Sequence, residues 1–386
     1  MPHRTPRLAA LVAPLAALVC VACGAGDGSD GDPAPEIVRP TQPKGFPPMA
    51  IPANNALSTA KIELGRHLFY DKKLSANETQ SCASCHKQEL AFTDAKVTST
   101  GSTGHVLERN SQTLTNVGYL PVLTWPNPVL DSLERQMLVP LFADIIVELG
   151  ATGHEAEILG RFRGDARYTE LFRSSFPEEK DPISFDTITR AVASFERTLV
   201  SGDSPFDRSF FREDASAMSA AAQRGMLLFN SHRVGCYHCH EGFNYTSALR
   251  TAQGESWKNS FFNTGLYNVD GVGGYPPDNP GLIEITERPE DMGKFRVPTL
   301  RNVAVTAPYM HDGSIATLSD VIDHYAAGGR TIASGPHAGI GSKSPLKDSQ
   351  IAPFQITAEE KADLIAFLES LTDDAFLTNP KFASPF

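Results

Sequence analysis

Two pentapeptides of the form Cys-x-x-Cys-His, Cys82-Ala83-Ser84-Cys85-His86 and Cys236-Tyr237-His238-Cys239-His240, constrain this chain more tightly than anything else in it. In such a segment the two thiols can add across the vinyl groups of a haem while the histidine becomes the proximal iron ligand. One short stretch then both tethers and ligates the cofactor. A dithiol redox pair would not need the trailing histidine, and a zinc site would want four ligands gathered from paired motifs. The only other cysteines, Cys20 and Cys23, lie near the N-terminus. The chain therefore reads as a c-type cytochrome with two covalent haem c groups, attached through Cys82, Cys85, Cys236 and Cys239 and ligated by His86 and His240.

The N-terminus carries Arg4 and Arg7, then an apolar run over residues 8–22, then Cys23. That order predicts an export signal over residues 1–22 rather than a membrane span. Ala22 before Cys23 suits cleavage with lipid anchoring at Cys23, although Cys20 is an unusual neighbour for such a site, and ordinary cleavage is the alternative. Residues 23–50, rich in Gly, Pro and Asp, read as a flexible tether. Export agrees with covalent haem attachment, which takes place outside the bacterial cytoplasm. No other run is long enough to cross a bilayer. The formal net charge is −11 with no Lys/Arg block, which argues against a nucleic-acid partner.

With the haem motifs as anchors, an internal repeat emerges. Leu64-Gly65-Arg66-His67-Leu68-Phe69 precedes the first motif as Arg224-Gly225-Met226-Leu227-Leu228-Phe229 precedes the second. Thr113-Leu114-Thr115-Asn116-Val117 is echoed by Thr299-Leu300-Arg301-Asn302-Val303. Apolar spacing predicts helices over 132–142, 155–162 and 183–200. Residues 243–298, dense in Gly, Pro and Asn, predict a long ordered loop, and β alternation is scarce. The expectation is a mostly α protein of two cytochrome c-type domains, residues 51–205 and 206–386, each binding one haem, with long irregular loops.

These residues resemble the bacterial dihaem cytochrome c peroxidases and their MauG-type relatives. The likeness runs over about residues 52–371. It is most specific in the haem motifs, in Phe295-Arg296-Val297-Pro298-Thr299-Leu300-Arg301-Asn302, and in Thr306-Ala307-Pro308-Tyr309-Met310-His311-Asp312-Gly313. The resemblance implies that the N-terminal haem reacts with hydrogen peroxide and the C-terminal haem relays electrons. It places Gln136, Pro140 and Glu148 over the first haem, with Glu148 moving protons during peroxide cleavage; taken alone, Glu148 could be a solvated glutamate. It places Trp125 between the haems as a stepping stone for oxidising equivalents, a role compatible with core filling. Asn116, Thr306 and Pro308 match a calcium site between the domains, for which an interdomain hydrogen-bond network is the alternative.

The distal ligand of the second haem separates the branches of this family. The peroxidases use methionine there and the MauG type uses tyrosine, whose anionic oxygen stabilises ferric and higher states. The matching position here is Tyr325. Met310 and His324 are rivals, but on a helix His324 would point about 100° away from Tyr325. His105 is expected to be a loop histidine, leaving the first haem open to peroxide. The resemblance to the MbnH-like branch of the MauG type implies an enzyme that uses peroxide to reach a high-valent dihaem state and oxidises tryptophan, with kynurenine as the product, in a secreted, copper-binding partner protein. Where MauG has a surface tryptophan before its second haem motif this chain has Val234, so the exit route must differ; Trp257, Tyr237 and Tyr245 lie nearby in sequence or in the long loop. One competing reading is a peroxidase fed by a small cytochrome c or cupredoxin. Another is a non-enzymatic electron carrier, which would have two six-coordinate haems and no use for Glu148.

Overall fold

The computed structural model describes residues 36–257 and 260–386. Its helices begin where the sequence supplies capping hydroxyls and carboxylates. The first half holds α1 (Thr59–Tyr70), capped by Ser58, and the short α2 (Cys82–Cys85) of the first motif. The stretch expected to be helical over 132–142 forms two short pieces, α3 (Leu133–Gln136) and α4 (Leu138–Phe142), meeting at Met137. Then come α5 (Glu155–Arg163), α6 (Ala166–Ser175) and α7 (Phe185–Glu196), the last opened by a capping box of Ser184 and Thr187. The second half holds α8 (Pro205–Arg212), α9 (Ala220–Phe229), α10 (Ile283–Thr286), α11 (Leu318–Ala326), α12 (Ala358–Glu369) and α13 (Asp374–Leu377).

Strands occur, among the described residues, only as three short antiparallel pairs: β1 (Leu249–Thr251) with β2 (Gly254–Ser256), β3 (Phe261–Phe262) with β4 (Phe295–Arg296), and β5 (Thr331–Ile332) with β6 (Gly339–Ile340). The β3–β4 pairing closes the long loop expected over 243–298. The fold is mostly α with long irregular connections, as the sequence predicts.

The repeat is structural as well as sequential. Helix α1 crosses α7 so closely that a Cβ on Gly65 would lie 2.0 Å from the Ala191 carbonyl oxygen. Helix α9 crosses α12 in the same way, with a Cβ on Gly225 falling 1.9 Å from the Asp363 carbonyl oxygen. Both contacts are backbone against backbone, so only glycine allows them. One apolar cluster gathers Leu64, Leu68, Phe69, Phe162, Phe172 and Phe195, and a second gathers Phe206, Phe229, Tyr245, Leu364, Phe367 and Leu371. The C-terminal segment returns to the first cluster through Phe376 and Phe382.

Of the expected tether, residues 36–50 are described and lie against the folded body. Phe46 is buried, tilted against Phe243 with ring centroids 4.6 Å apart and packing edge-on against Tyr119. The expected signal peptide and the lipid-anchor residue Cys23 lie outside the described residues. Among the described residues no helix is long and apolar enough to cross a membrane.

Candidate dihaem site

Each motif histidine is oriented by the same device. His86 Nδ1 lies 2.7 Å from the carbonyl oxygen of Phe92, and His240 Nδ1 lies 3.0 Å from that of Tyr245. Both aromatic residues have positive φ, 62° and 49°, which turns their carbonyls toward the rings. The carbonyl just before each is held in turn by a threonine hydroxyl, Thr113 to Ala91 at 2.6 Å and Thr299 to Asn244 at 2.6 Å. With Nδ1 engaged, the Nε2 of each imidazole is left for a metal, the arrangement expected of an iron ligand. Burial lowers the pKa of both histidines, His240 to about 4, so both are neutral and able to ligate. The four motif cysteines lie partly buried within their motifs, placed for haem attachment.

A cavity opens on the second motif, lined by Cys236, Cys239, His240, Met310 and Tyr325. Helix α11 presents Leu318, Val321, Ile322 and Tyr325 to it, the i, i+3, i+4, i+7 stripe of one helix face. His324 is buried off that stripe, as the helix-period argument predicts. Burial holds the Tyr325 phenol well above its ordinary pKa. Met310, at φ 74°, also lines the cavity. Arg296 reaches the same cavity fully buried, donating to the carbonyls of Thr124 and Val297 and to the Gln112 side chain. Burial lowers its pKa to about 10, and no carboxylate is its ion-pair partner among the described residues. A buried guanidinium in that position suits the carboxylates of a haem. The sequence reading missed Arg296; its signal was only a basic residue inside the Phe295–Asn302 motif.

At the first motif, Glu148 is half-buried in the turn after α4, its carbonyl accepting the Ser102 N–H at 2.7 Å. Burial raises its carboxyl to about 7, and its charge reaches both Cys82 and Cys85. Gln136 ends α3, which is tied to the C-terminal end of α7 by a buried ion pair between Glu134 and the capping residue Arg197 at 2.7 Å. Pro140, within α4, ties that helix to the turn carrying Glu148, its carbonyl accepting the Leu149 N–H at 2.9 Å. A second carboxyl, unremarked in the sequence, is Glu196 at the end of α7. It is buried, one of its oxygens has no hydrogen-bond partner, and burial raises it to about 8. Its charge acts on Cys82.

Trp125 joins the two regions. Only 9% exposed, it donates Nε1–H to the Asn110 carbonyl at 2.9 Å, and the adjacent Ser111 hydroxyl donates to the Cys85 carbonyl at 2.8 Å. On its other side the Trp125 carbonyl accepts the Arg296 N–H at 2.8 Å, and its ring lines the second cavity.

Asn116, in the left-handed region at φ 56°, uses its amide in a buried network: its oxygen accepts the Ser201 N–H at 2.8 Å and its nitrogen donates to Ser201 and Asn244. Thr306 and Pro308 line the second cavity. Among the described residues no group of three or more His, Cys, Asp or Glu side chains could hold a metal ion. His105 is exposed in its loop. Trp257 is half-buried against Val122, Phe261 and Leu282 and donates to Glu255 at 3.2 Å.

Two motifs with paired cysteines and identically oriented imidazoles, joined through one buried tryptophan, point to a cytochrome c-type unit built twice. A family model described as di-haem cytochrome c peroxidase matches residues 59–216. The cytochrome-c peroxidase IdrP1 of Pseudomonas sp. (strain SCT) is 36% identical over 85% of this chain and 84% of its own length. The methylamine utilization protein MauG of Methylorubrum extorquens is 32% identical over 93% of this chain and 91% of its own. A crystal structure of a MauG-like protein associated with microbial copper homeostasis aligns with a TM-score of 0.87 at 49% identity, covering 89% of this chain and 98% of that one. The chain belongs to the di-haem cytochrome c peroxidase and MauG family. It is a haem-dependent oxidoreductase that uses peroxide, and membership of a di-haem family implies two haem c groups.

Proposed function

We propose that this enzyme works in the MauG manner, using hydrogen peroxide to oxidise tryptophan in a secreted partner protein, with kynurenine as the product. The observation that carries the reading is Tyr325, which occupies the cavity stripe of α11 beside Cys236, Cys239 and His240. The 49% likeness to a MauG-like protein tied to copper homeostasis supports a copper-binding partner. The haems supply the redox chemistry of peroxide cleavage when bound. Around them, Glu148, with its pKa raised to about 7, takes and returns a proton at its carboxyl oxygens near the first motif. Gln136 on α3 orients peroxide through its amide. The buried indole of Trp125 offers an oxidisable ring between the two motifs. The first half, residues 51–205, is the peroxide-reactive domain, and residues 206–386 form the relay domain. Export, with anchoring at Cys23, puts the enzyme where a secreted partner would be.

The test is mass spectrometry of an exported copper-binding protein encoded beside this chain, after treatment with the haem-loaded enzyme and peroxide. Conversion of one of its tryptophans to kynurenine, lost in Tyr325→Met, is the expected result. Rapid peroxide turnover only with reduced cytochrome c or cupredoxin, indifferent to Tyr325, would overturn it. Met310 beside Tyr325 in the cavity is the specific observation that favours this second, peroxidase reading. Calcium held by Asn116, Thr306 and Pro308 is a further part of the proposal, supported by their oxygen donors. Removing calcium with a chelator should lower peroxide reactivity, and re-addition should restore it; no metal in the purified protein would count against it.

A further inference from the structure

We infer that Tyr237, inside the second haem motif, is the residue through which oxidising equivalents leave the protein, with His232 as its proton acceptor. The inference deepens the proposed function and rests on its premise that the substrate is too large to enter the pockets.

Oxidising a tyrosine near neutral pH requires the phenol to lose its proton as it loses the electron, so a useful tyrosine needs a base in hydrogen-bond contact. Tyr237 has one: its hydroxyl lies 2.8 Å from His232 Nδ1. Its other face packs on His238, ring centroids 4.1 Å apart. His232 and His238 are exposed while Tyr237 is half-buried, its ring lying against the apolar cluster that also contains Cys236. The pair thus runs from the haem-bearing cysteines, one residue away on the N-terminal side, to solvent.

The surrounding chain holds this geometry. The Ser231 hydroxyl donates to the Leu228 carbonyl at 2.7 Å, and Arg233 donates to the Gln355 carbonyl at 2.9 Å and pairs with Glu360. Gly235, at φ 66°, lets the chain turn back so that residues 232 and 237 meet. The other aromatic candidates lack this combination. Tyr245 is buried among Phe206, Phe229 and Phe367, Tyr309 donates to a backbone carbonyl, and Trp257 packs on an apolar cluster in the long loop. Val234, nearest the motif, has no oxidisable group.

The step balances as follows. One electron leaves the Tyr237 ring for the peroxide-oxidised dihaem centre, which is reduced by one equivalent. The phenolic O–H bond breaks and its proton passes to His232 Nδ1. An electron donor outside the protein then returns one electron to the ring, and the proton returns from His232.

Rapid-freeze paramagnetic resonance of the haem-loaded protein, mixed with hydrogen peroxide and no partner, tests this. The expected result is a tyrosyl radical signal that narrows with ring-deuterated tyrosine and is absent in Tyr237→Phe. It should be replaced by a tryptophanyl signal in Tyr237→Trp. In His232→Asn it should form more slowly by on the order of a hundredfold, the scale of a lost acid–base partner. An unchanged tyrosyl signal in Tyr237→Phe, or no tyrosyl radical in the wild type, would overturn the inference. Because no partner is present, the two readings fail separately: a radical on Tyr237 here, with no kynurenine formed when the partner is supplied and read by mass spectrometry, overturns the tryptophan-oxidation reading alone.

Discussion

The two halves share one frame and differ in what they put over it. In each, a glycine lets an N-terminal helix touch the backbone of a later one, a threonine holds a carbonyl, and the next carbonyl orients the motif histidine. Above that frame the first half sets carboxyl groups, Glu148 in a turn and Glu196 at the end of α7, both raised by burial. The second half sets a phenol on α11 and a hydrocarbon where Glu196 would be. Matching Ala191 to Asp363 and Phe195 to Phe367 through the two glycine contacts aligns Glu196 with Leu368, which lines the second cavity. Raised carboxyls thus gather near the first motif, while the cavity of the second is lined by a phenol and hydrocarbon. A duplicated scaffold has kept its shape and divided its chemistry.

The sharpest way to break this comparison is at Glu148. Glu148→Gln should slow the reaction of the first site with peroxide by about 10²–10⁴-fold, the range of a lost acid–base group, in stopped-flow measurements. In the wild type this rate should climb with pH through about 7, as the Glu148 carboxyl loses its proton and becomes a base, and the variant should lack that limb.

The buried ion pairs come next. Arg301 and Asp207 in the second half are 0% and 1% exposed and 2.6 Å apart, so Asp207→Ala strands a buried guanidinium and should cost about 3–5 kcal/mol in urea unfolding. In the first half Glu134 is 18% exposed, so Glu134→Ala should cost less while disturbing the helix that carries Gln136. Gly65→Ala and Gly225→Ala should each cost about 1–3 kcal/mol, and by similar amounts if the helix crossings are equivalent. Unequal shifts in the urea midpoint would show that the repeat has diverged in packing as well as chemistry.

A test of pH dependence separates Glu196 from Leu368. A carboxyl raised from 4.5 to about 8 keeps its proton in the folded state while the unfolded chain has lost it. Stability from this group is therefore greatest below 4.5 and declines as pH rises toward 8, by at most about 1.4 kcal/mol per pH unit. Glu196→Gln should flatten that slope in thermal unfolding, whereas a variant at Leu368 should leave it in place.

Much of this was legible in the chain. The Cys-x-x-Cys-His spacing dictates cofactor chemistry by covalent reach alone, and the paired glycines and Thr-Leu-x-Asn segments exposed the duplication. Tyr325 could be preferred over His324 because helix periodicity is a local property, and α11 turns Tyr325, but not His324, to the cavity. Arg296 and Glu196 were not legible, since their significance lies in burial without an ordinary partner, and burial depends on residues distant in sequence. The same holds for the described part of the expected tether: a stretch rich in Gly and Pro looks loose until Phe46 finds Phe243 and Tyr119. The sequence by itself determined which atoms can bond to haem and which helix faces are apolar, because covalent spacing and periodicity are written in neighbouring residues. Only the tertiary structure decided which carboxyls are raised, which arginine lies buried beside the cavity and which tyrosine meets a histidine at the surface, because dielectric surroundings and contacts across the chain exist only after folding.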